Sequence, residues 1–289
     1  MKKDFLTLFD LNNDELMDLL FLSKKLKKNR ISKELESKTL IMLFSKTSTR
    51  TRVSFEVAIN ELGGKAINLN WKETNFVKGD IKDESKVLGL YCDALMARVD
   101  SHRQLEEIAE GCDKPVINGM DDLHHPCQAL ADLLTILEFK KNLSGLNVGW
   151  VGDGTNVCNS LMIGAQMTGM IMTVATPKGF EPKISTSAKI VNDPKEAAKD
   201  ADVLVTDTWV SLGYEKEKNM RLKIFKPYQL NYDLLSLAKK DCIVLHCLPA
   251  QRGLEITSEV MNSSQSKIFQ EAENRLHTEK ALLLKILKT

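Results

Sequence analysis

The chain has 289 residues, of which 43% are hydrophobic, and its 40 Lys and Arg residues nearly balance its 39 Asp and Glu residues. A formal charge of +1 provides no broad positive field, which excludes nucleic acid or an anionic membrane surface as the expected partner. No segment approaches the ~20 consecutive apolar residues of a membrane span, and six scattered cysteines are typical of reduced thiols, so a soluble cytoplasmic protein is expected.

Strand-like apolar runs alternate with helical patterns through the first half of the chain. Strands are predicted at 39–44, 66–69, 94–99 and 115–118, and helices at 50–62, 83–91, 101–110 and 128–140. The polar run Asn142-Leu143-Ser144-Gly145 then interrupts the pattern. It marks the expected domain boundary.

The same alternation restarts in the second half. Strands are predicted at 147–151, 172–175, 203–206, 243–247 and 267–269, and helices at 157–167, 194–200, 232–239 and 257–261. The stretch 211–227 is expected to be irregular, and a last helix is expected over 271–288.

This order of elements predicts an α/β protein of two domains, each a parallel sheet flanked by helices. The C-terminal helix is expected to return to the first domain, which would comprise residues 1–141 and 271–289. The second domain would comprise residues 142–270. Because ligands of parallel sheets gather at the carboxyl ends of the strands, residues that follow strands are the candidates for chemistry.

The first predicted strand leads into its helix through the run Ser48-Thr49-Arg50-Thr51-Arg52. Hydroxyl groups, backbone N–H groups at a helix start and forked arginine donors would all point at one spot there. The alternative is a simple helix cap followed by solvated arginines. Two arginines flanking the second threonine favour a phosphate site.

Arg98, at the end of a strand, and His125, at the start of a helix, are the next candidates. Arg98 taken alone is as well explained by a surface arginine. His125 can donate to an anionic or carbonyl oxygen, and Gln128 can add an amide contact, although a helix cap would also explain them. His124, His125 and Cys127 also suggest a metal, but no second Cys/His pair lies at ligand spacing, so none is expected.

Five further candidates follow strands or lie in the last helix of the second half. Asn156 ends a Gly-Asp-Gly-Thr-Asn turn that fails the dinucleotide-binding spacing, and it suits either a turn or a ligand contact. Asp207, with Ser211, could clamp an ammonium group or cap a helix. Cys247 beside a histidine could be a functional or an inert thiol, and Arg275 could be solvated or reach a ligand.

Together these segments resemble the aspartate/ornithine carbamoyltransferase family over essentially the whole chain. The matching pieces, in the family's order, are Ser-Thr-Arg-Thr-Arg at 48–52, Met-Ala-Arg-Val at 96–99, His-Pro-Cys-Gln with Leu-Ala-Asp at 125–132, Gly-Asp-Gly-Thr-Asn at 152–156, Asp-Thr-Trp-Val-Ser at 207–211, His-Cys-Leu-Pro at 246–249 and Glu-Ala-Glu-Asn-Arg at 271–275. One departure is Ser211-Leu212-Gly213, where the family usually has Ser-Met-Gly.

The resemblance implies which residues bind each substrate. Carbamoyl phosphate would be bound by the first half together with three later residues: Ser48, Thr49, Arg50, Thr51, Arg98, His125, Gln128, Cys247, Leu248 and Arg275. Ornithine would be bound by Asn156, Asp207, Ser211 and the backbone at Leu212. The residues implied to be catalytic are Cys247, Arg98, His125 and Arg275.

The implied reaction transfers the carbamoyl group to the side-chain amine of ornithine, giving citrulline and phosphate without a cofactor or metal. The resemblance also implies a homotrimer or a multiple of trimers. Putrescine or another amine is the alternative acceptor, whereas aspartate would give Asp207 no partner. A catalytically silent carbamoyl phosphate-binding protein and, more distantly, a nicotinamide oxidoreductase are the alternatives outside this activity.

Overall fold

The computed structural model describes residues 4–210 and 215–288, which divide into two compact units. The first unit comprises the described residues up to Leu134 together with those from Glu273 onward. The second unit runs continuously from Thr135 to Ala272. The chain therefore leaves the first unit once and returns to it at its C-terminal end.

A four-stranded parallel sheet forms the centre of the first unit. Its strands are β1 (Thr39–Phe44), β2 (Lys65–Asn70), β3 (Ala94–Arg98) and β4 (Val116–Met120), in the spatial order β2-β1-β3-β4. Leu40 to Phe44 are buried without interruption. Continuous apolar burial is the pattern of a parallel strand covered on both faces.

Helices cover the sheet of the first unit and connect its strands. They are α1 (Asn13–Lys28), α2 (Arg50–Glu61), α3 (Ile81–Tyr91), α4 (His102–Gly111) and α5 (Pro126–Lys140), whose last residues lie in the second unit. The sequence analysis did not predict α1. Its start carries a capping box, in which Asn12 and Glu15 each accept a hydrogen bond from the other's backbone N–H.

The second unit is built on a five-stranded parallel sheet. Its strands are β5 (Asn147–Val151), β6 (Ile171–Ala175), β7 (Lys189–Val191), β8 (Val203–Thr206) and β9 (Ile243–His246), in the order β7-β6-β5-β8-β9. Its helices are α6 (Asn156–Thr168), α7 (Pro194–Ala198), α8 (Lys218–Phe225), α9 (Tyr232–Leu235), α10 (Ser258–Met261) and the start of α11 (Ile268–Leu287).

In each sheet the strand order reverses direction beside a central strand. β1 lies between β2 and β3, so the chain moves to one side after β1 and crosses to the other side after β2. β5 likewise lies between β6 and β8. Such reversal points open a crevice at the carboxyl ends of the two adjacent strands, where open parallel sheets bind their ligands.

The predicted architecture of two parallel α/β sheets is confirmed, and so is the return of the last helix to the first unit. Lys27 Nζ on α1 donates to Asn274 Oδ1 on α11 at 2.8 Å. Lys280 Nζ on α11 lies 2.9 Å from Glu61 Oε2 at the end of α2. In the described ranges, 4–210 and 215–288, no helix is both long and apolar enough to cross a bilayer.

Two local predictions were wrong. Residues 267–269 do not form a strand, because only an isolated bridge joins Ser266 to Val244 before α11 begins at Ile268. The stretch predicted to be irregular contains the two-turn helix α8, whose residues Arg221 and Phe225 are buried four positions apart. That spacing is typical of one helix face packed on a core.

Candidate active site

The start of α2 supplies the first set of oriented donors in the first unit. β1 ends at Phe44 and α2 begins at Arg50, so this helix start follows the carboxyl end of the central strand. The Thr49 side chain makes no capping hydrogen bond within the described part of the chain. The first backbone N–H groups of a helix have no partner inside it, so these groups are available to an anion.

Two arginines from distant parts of the sequence converge on Thr51, which is 1% exposed. Arg98 Nη1 donates to Ser48 Oγ at 3.2 Å and to Thr51 Oγ1 at 3.4 Å. Arg275 Nη2 donates to the same Thr51 oxygen at 3.3 Å. β3 pairs Arg98 with Phe44 of β1, which explains why the guanidinium reaches the start of α2.

Gln128 links Arg275 to α5. Arg275 Nη1 donates to Gln128 Oε1 at 2.9 Å, and Gln128 Nε2 donates to Asp132 Oδ1, also at 2.9 Å. Because a carboxylate only accepts, Asp132 orients the amide with its oxygen toward the guanidinium. Gln128 is 2% exposed and Arg275 is also 2% exposed, so the array is fixed by contacts within the protein.

His125 completes this set on the N-terminal side of α5. Burial, followed by the positive charges of Arg275, Arg98 and Arg50, holds the pKa of His125 well below its ordinary value. A neutral imidazole is therefore expected near pH 7, and such a ring donates from one nitrogen and accepts at the other. Ser48, Thr51, Arg98, His125, Gln128 and Arg275 are called the first-unit cluster below.

In the second unit, Asp207 and Cys247 lie at the ends of the adjacent strands β8 and β9. Cys247 Sγ donates to Asp207 Oδ1 at 3.0 Å, and the Thr208 backbone N–H donates to the same oxygen at 2.7 Å. Asp207 is 5% exposed. A buried carboxylate that accepts from two donors is fixed in direction and leaves its second oxygen for a cationic group.

His246 anchors the segment that carries Cys247. Its backbone N–H donates to Glu271 Oε2 at 2.8 Å, and Nε2 lies 3.1 Å from Glu255 Oε1. The Leu248 N–H donates to His246 Nδ1 at 2.9 Å, so Nδ1 is an acceptor and Nε2 carries the proton. Leu248 has a φ of 58°, in the left-handed region. This conformation costs conformational free energy for a residue other than glycine, so the surrounding structure must hold the Leu248 backbone in place.

Asn156 begins α6 directly after the turn that contains Asp153. Arg221 of α8 pairs with Asp153 Oδ2 at 2.5 Å and donates to the Trp209 carbonyl at 3.2 Å. Its guanidinium also lies 5.0 Å from the centre of the Phe180 ring. Arg221 thereby ties together the segments that follow β5, β6 and β8. Asn156, Asp207, Cys247 and Leu248 are called the second-unit cluster below.

Asp207, His246 and Cys247 are also the group of described residues that could hold a metal ion, because their ligand atoms lie within 4.8 Å of one another. Both ring nitrogens of His246 are already hydrogen-bonded, to Glu255 and to the Leu248 N–H. The thiol donates to Asp207. A metal would have to displace these bonds, so the geometry suits a polar organic ligand better.

Both halves of the chain match profiles of one protein family. Residues 3–138 match the profile described as "Aspartate/ornithine carbamoyltransferase, carbamoyl-P binding domain", and residues 144–286 match "Aspartate/ornithine carbamoyltransferase, Asp/Orn binding domain". The chain belongs to the aspartate/ornithine carbamoyltransferase family. The family resemblance seen in the sequence is confirmed.

Relatives similar over their full length support membership of this carbamoyltransferase family. A protein named ornithine carbamoyltransferase from Archaeoglobus fulgidus is 48% identical over 99% of this chain and 97% of the relative. One of the same name from Methanosarcina acetivorans is 49% identical over all of both chains. The solved ornithine carbamoyltransferase from Pyrococcus furiosus has a TM-score of 0.95 at 44% identity, covering 99% of this chain and 97% of that one.

The structure brings together most of the residues that the sequence analysis singled out. Those from the first unit lie around the start of α2, including the half-buried Arg50 and the exposed Thr49. Asn156, Asp207, Cys247 and Leu248 lie at strand ends of the second unit. Ser211 and Leu212, predicted to bind ornithine, lie outside the described residues.

Three buried charged residues that contact these clusters or their neighbouring residues were not predicted from the sequence: Arg221, Glu255 and Glu279. Glu279 had a readable signal, because it stands four residues after Arg275 in a predicted helix. Arg221 fell in the stretch predicted to be irregular, and Glu255 is brought to His246 only by the fold. Neither Arg221 nor Glu255 lies at a sequence spacing from its buried partner that predicts a contact.

Proposed function

We propose that this chain transfers the carbamoyl group of carbamoyl phosphate to the side-chain amine of L-ornithine, producing L-citrulline and phosphate. The observation that carries the proposal is the convergence of Arg98 and Arg275 on Thr51 at the start of α2. The choice of ornithine as the acceptor rests on the relatives, which carry the name ornithine carbamoyltransferase and match nearly the whole chain.

Each substrate is assigned to one part of the chain. Residues 1–141 and 271–289 bind carbamoyl phosphate, and residues 142–270 bind ornithine. The descriptions of the matching family profiles, a carbamoyl-P binding domain and an Asp/Orn binding domain, support this assignment. So does the position of each cluster at a reversal of strand order, where parallel sheets bind ligands.

In the first unit, the phosphate group is bound by the α2 start. Backbone N–H groups and the side chains of Ser48, Thr49 and Arg50 contact the phosphate oxygens. Arg98 bridges Ser48 and Thr51, which places its charge beside both the phosphate and the carbamoyl group. As phosphate departs, these donors stabilise the negative charge that develops on it.

The carbamoyl oxygen is polarised by the remaining donors of the first-unit cluster. Thr51, His125, Gln128 and Arg275 supply hydroxyl, imidazole, amide and guanidinium groups around one spot. Because His125 is neutral, it donates an N–H without adding a third charge beside the two arginines. Loss of one oxyanion donor typically costs about 3 to 4 kcal/mol of transition-state stabilisation.

In the second unit, Asp207 binds the α-ammonium group of ornithine through the oxygen that Cys247 and Thr208 leave available. Asn156 and Ser211, with the backbone at Leu212, bind the rest of the α-amino and α-carboxylate groups. Replacement of the family's usual Met by Leu212 nearly conserves volume, so it is compatible with the proposed backbone contact. Cys247 and the Leu248 backbone contact the reacting amine and carbonyl.

The chemical step needs an uncharged amine. An alkylamine has a pKa near ~10.4, so it must lose a proton before its nitrogen attacks the carbamoyl carbon. Desolvation and neighbouring cations lower the pKa of such an amine. The nitrogen attacks the carbamoyl carbon to form the new C–N bond, the C–O bond to phosphate then breaks, and the departing phosphate takes up the proton that the attacking nitrogen loses. Binding of both substrates in fixed orientation supplies much of the acceleration. Acyl transfer of this kind requires no cofactor.

The test is an assay with carbamoyl phosphate and three acceptors: ornithine, putrescine and aspartate. Ornithine alone should form a ureido product, because it carries both the side-chain amine and the groups that Asp207 and Asn156 bind. Faster turnover of putrescine would contradict the acceptor assignment. Absence of turnover together with tight carbamoyl phosphate binding would instead identify a silent binding protein.

The assembly and setting of the enzyme follow from the family resemblance. A homotrimer, or a multiple of trimers, acting in the cytoplasm in arginine metabolism is the arrangement proposed here. The surface of α3 supports an interface between copies, because Val87, Leu90 and Tyr91 are 42%, 74% and 68% exposed. Adjacent exposed apolar side chains mark association surfaces.

A further inference from the structure

The C-terminal helix α11 places a carboxylate, Glu279, one turn after Arg275. Glu279 is 0% exposed, and its Oε1 accepts from Arg275 Nε at 3.0 Å and from Nη2 at 2.7 Å. Residues four apart on a helix are neighbours, so the helix itself delivers this contact. We propose that Glu279 is a positioning residue that holds the Arg275 guanidinium toward carbamoyl phosphate, an inference that rests on the function proposed above.

The hydrogen bonds of Arg275 show how Glu279 sets its orientation. A guanidinium has five N–H donors in a rigid planar fork. Two of them go to Glu279, one on Nη1 goes to Gln128, and one on Nη2 goes to Thr51. The fifth, on Nη1, has no acceptor in ranges 4–210 and 215–288. Because Glu279 binds the Nε edge of the guanidinium, the two Nη nitrogens face Thr51 and Gln128 of the first-unit cluster.

The charges around Arg275 give Glu279 a second effect. Arg275, Arg98 and Arg50 all act on His125, so three cations lie near one spot before any substrate binds. The negative charges of Glu279 and Asp132 stabilise Arg275 and raise its pKa. Burial of an uncompensated cation is costly. Without Glu279, the Arg275 guanidinium would therefore move toward solvent and leave the position in which it contacts Thr51 and Gln128.

Glu279 itself cannot contact a substrate. It has no solvent-exposed surface, and it accepts from Arg275, whose other donors face Thr51 and Gln128. On its remaining sides, the Ser54 hydroxyl of α2 lies close enough to lower the pKa of Glu279. Cys127 of α5 also faces it, as a neutral thiol because burial raises the pKa of that group. Glu279 therefore acts on the reaction only through Arg275.

The same burial makes the contact sensitive to pH. Burial raises the pKa of Glu279 to about 7, even though the charge and hydrogen bonds of Arg275 and the nearby Ser54 hydroxyl oppose this rise. On the acid side of that value the carboxyl becomes neutral and its attraction for Arg275 weakens. Use of carbamoyl phosphate should therefore decline as pH falls through the neutral range.

The experiment compares Glu279→Gln with the wild type and with Glu61→Gln. Glu61 is a matched control, because it also pairs with α11, through Lys280, but makes no contact with Arg275. Steady-state constants for both substrates are measured from about pH 6 to about pH 8.5, and carbamoyl phosphate binding is measured by calorimetry. Glu279→Asp, which keeps the charge, is measured alongside.

Glu279→Gln should lower kcat/KM for carbamoyl phosphate by roughly 10- to 100-fold, less than the roughly 100- to 1000-fold found when an oxyanion donor is removed outright, because the Arg275 guanidinium is still present. Its KM for ornithine should change less than about twofold, and the acid decline near neutrality should disappear. Glu279→Asp should recover part of the loss, and it provides the comparison if Glu279→Gln does not fold. Glu61→Gln should keep wild-type kinetics.

Wild-type kinetics in Glu279→Gln, an unchanged acid decline, or equal losses in Glu279→Gln and Glu61→Gln would overturn the proposal. Failure of the wild type to carbamoylate ornithine would contradict the proposed function instead. In that case calorimetry still decides about Glu279, because weaker carbamoyl phosphate binding in Glu279→Gln alone supports its positioning effect. A wild type that does not bind carbamoyl phosphate would overturn both.

Discussion

Asp121 shows how one buried carboxylate can fix the segment that leads to a site. It is 1% exposed, and its Oδ1 accepts from the backbone N–H groups of Leu123 and His124. Its Oδ2 accepts from Asn118 Nδ2 at 2.8 Å and lies 2.6 Å from His102 Nδ1. The direction of the chain entering His125 is thus set by bonds to a single side chain.

His102 should make stability depend on pH. The hydrogen bond to Asp121 raises the pKa of His102 above its ordinary 6.5. A histidine with a raised folded-state pKa contributes stability that is fully present below the unfolded value and is lost as pH rises through the folded value. In urea unfolding, the excess stability of the wild type over His102→Asn should therefore be largest near pH 6 and shrink at higher pH.

His277 on α11 provides a control of opposite sign. Burial lowers the pKa of His277, so the folded protein disfavours its protonated form. Stability contributed by this residue should fall, rather than rise, as pH drops below about 6.5. Parallel pH trends for His102→Asn and His277→Gln, both measured against the wild type, would contradict the assignment of the first effect to the His102–Asp121 contact.

Single residues were predictable where they followed a strand. Ser48, Arg98 and Asp207 were found because parallel strands bring their carboxyl ends to one edge. Arg221 was missed because charged side chains are normally exposed and no spacing shows that this one is buried. Its partner Asp153 lies 68 positions away, so the pair is known only once the fold is known, whereas the four-residue spacing of Arg275 and Glu279 could have been interpreted.

Arg221 connects the helix α8 to the rest of the second unit. Arg221 is 5% exposed and bonds to Asp153, Glu217 and the Trp209 carbonyl, while its guanidinium lies near Phe180 and Phe225. This helix follows the segment that contains Ser211 and Leu212. Arg221 thus holds in place the helix α8, which follows the proposed ornithine-binding residues Ser211 and Leu212 in the sequence.

Arg221→Met should destabilise the second unit by about 3 kcal/mol, because it leaves Asp153 buried without its cation. Burial already raises the pKa of Asp153 to about 6, so protonation can relieve part of this cost. The loss should be smaller at pH 5 than at pH 8. Urea unfolding followed by tryptophan fluorescence is suitable, because Trp150 and Trp209 both lie in this unit.

Glu217→Gln is the matched control for Arg221→Met. Its side chain is 45% exposed, and it contacts the same guanidinium at 2.9 Å. Exposed ion pairs contribute about 0 to 1 kcal/mol, so this variant should unfold close to the wild type. A loss as large as that of Arg221→Met would show that α8 depends on its surface pair rather than on Asp153.

Strands with a buried apolar run were predicted well, even the four-residue β8, whereas the edge strand β7 was not. β7 was missed because Lys189 and Ile190 are exposed at the edge of the sheet and show no buried pattern. The strand expected at 267–269 was wrong because an apolar pair beside a turn suits either a strand or a helix start. In the fold, Val244 pairs with Ser266 by an isolated bridge only, and the residues after it begin a helix rather than a strand.

For the whole molecule, the proposed trimer gives a direct prediction. Light scattering should report three times, or a multiple of three times, the 32.5 kDa of one chain. Leu90→Lys on α3 should lower this mass, because it introduces a charge into the exposed apolar patch. Ile171→Lys is the control, since Ile171 is 60% exposed on β6 of the second unit and should leave the mass unchanged. A single-chain mass for the wild type would contradict the trimer.

The two-sheet architecture was predictable because each half repeats strands and helices in alternation, and only parallel sheets accommodate that order. The strand order was not predictable from this pattern. It depends on which strands pair across long sequence separations, such as β5 with β8, and on how the crossing helices pack. The reversals beside β1 and β5, which locate both clusters, therefore became visible only in the fold.

The return of α11 to the first unit has a consequence for protein synthesis. Arg275 leaves the ribosome 224 positions after Thr51, long after β1 and the start of α2 have emerged. A nascent chain can therefore fold its entire second unit before the first has all of its parts. A chain cut short before Arg275 would lack one guanidinium of the proposed carbamoyl phosphate site, so we expect such incomplete copies to be inactive toward carbamoyl phosphate.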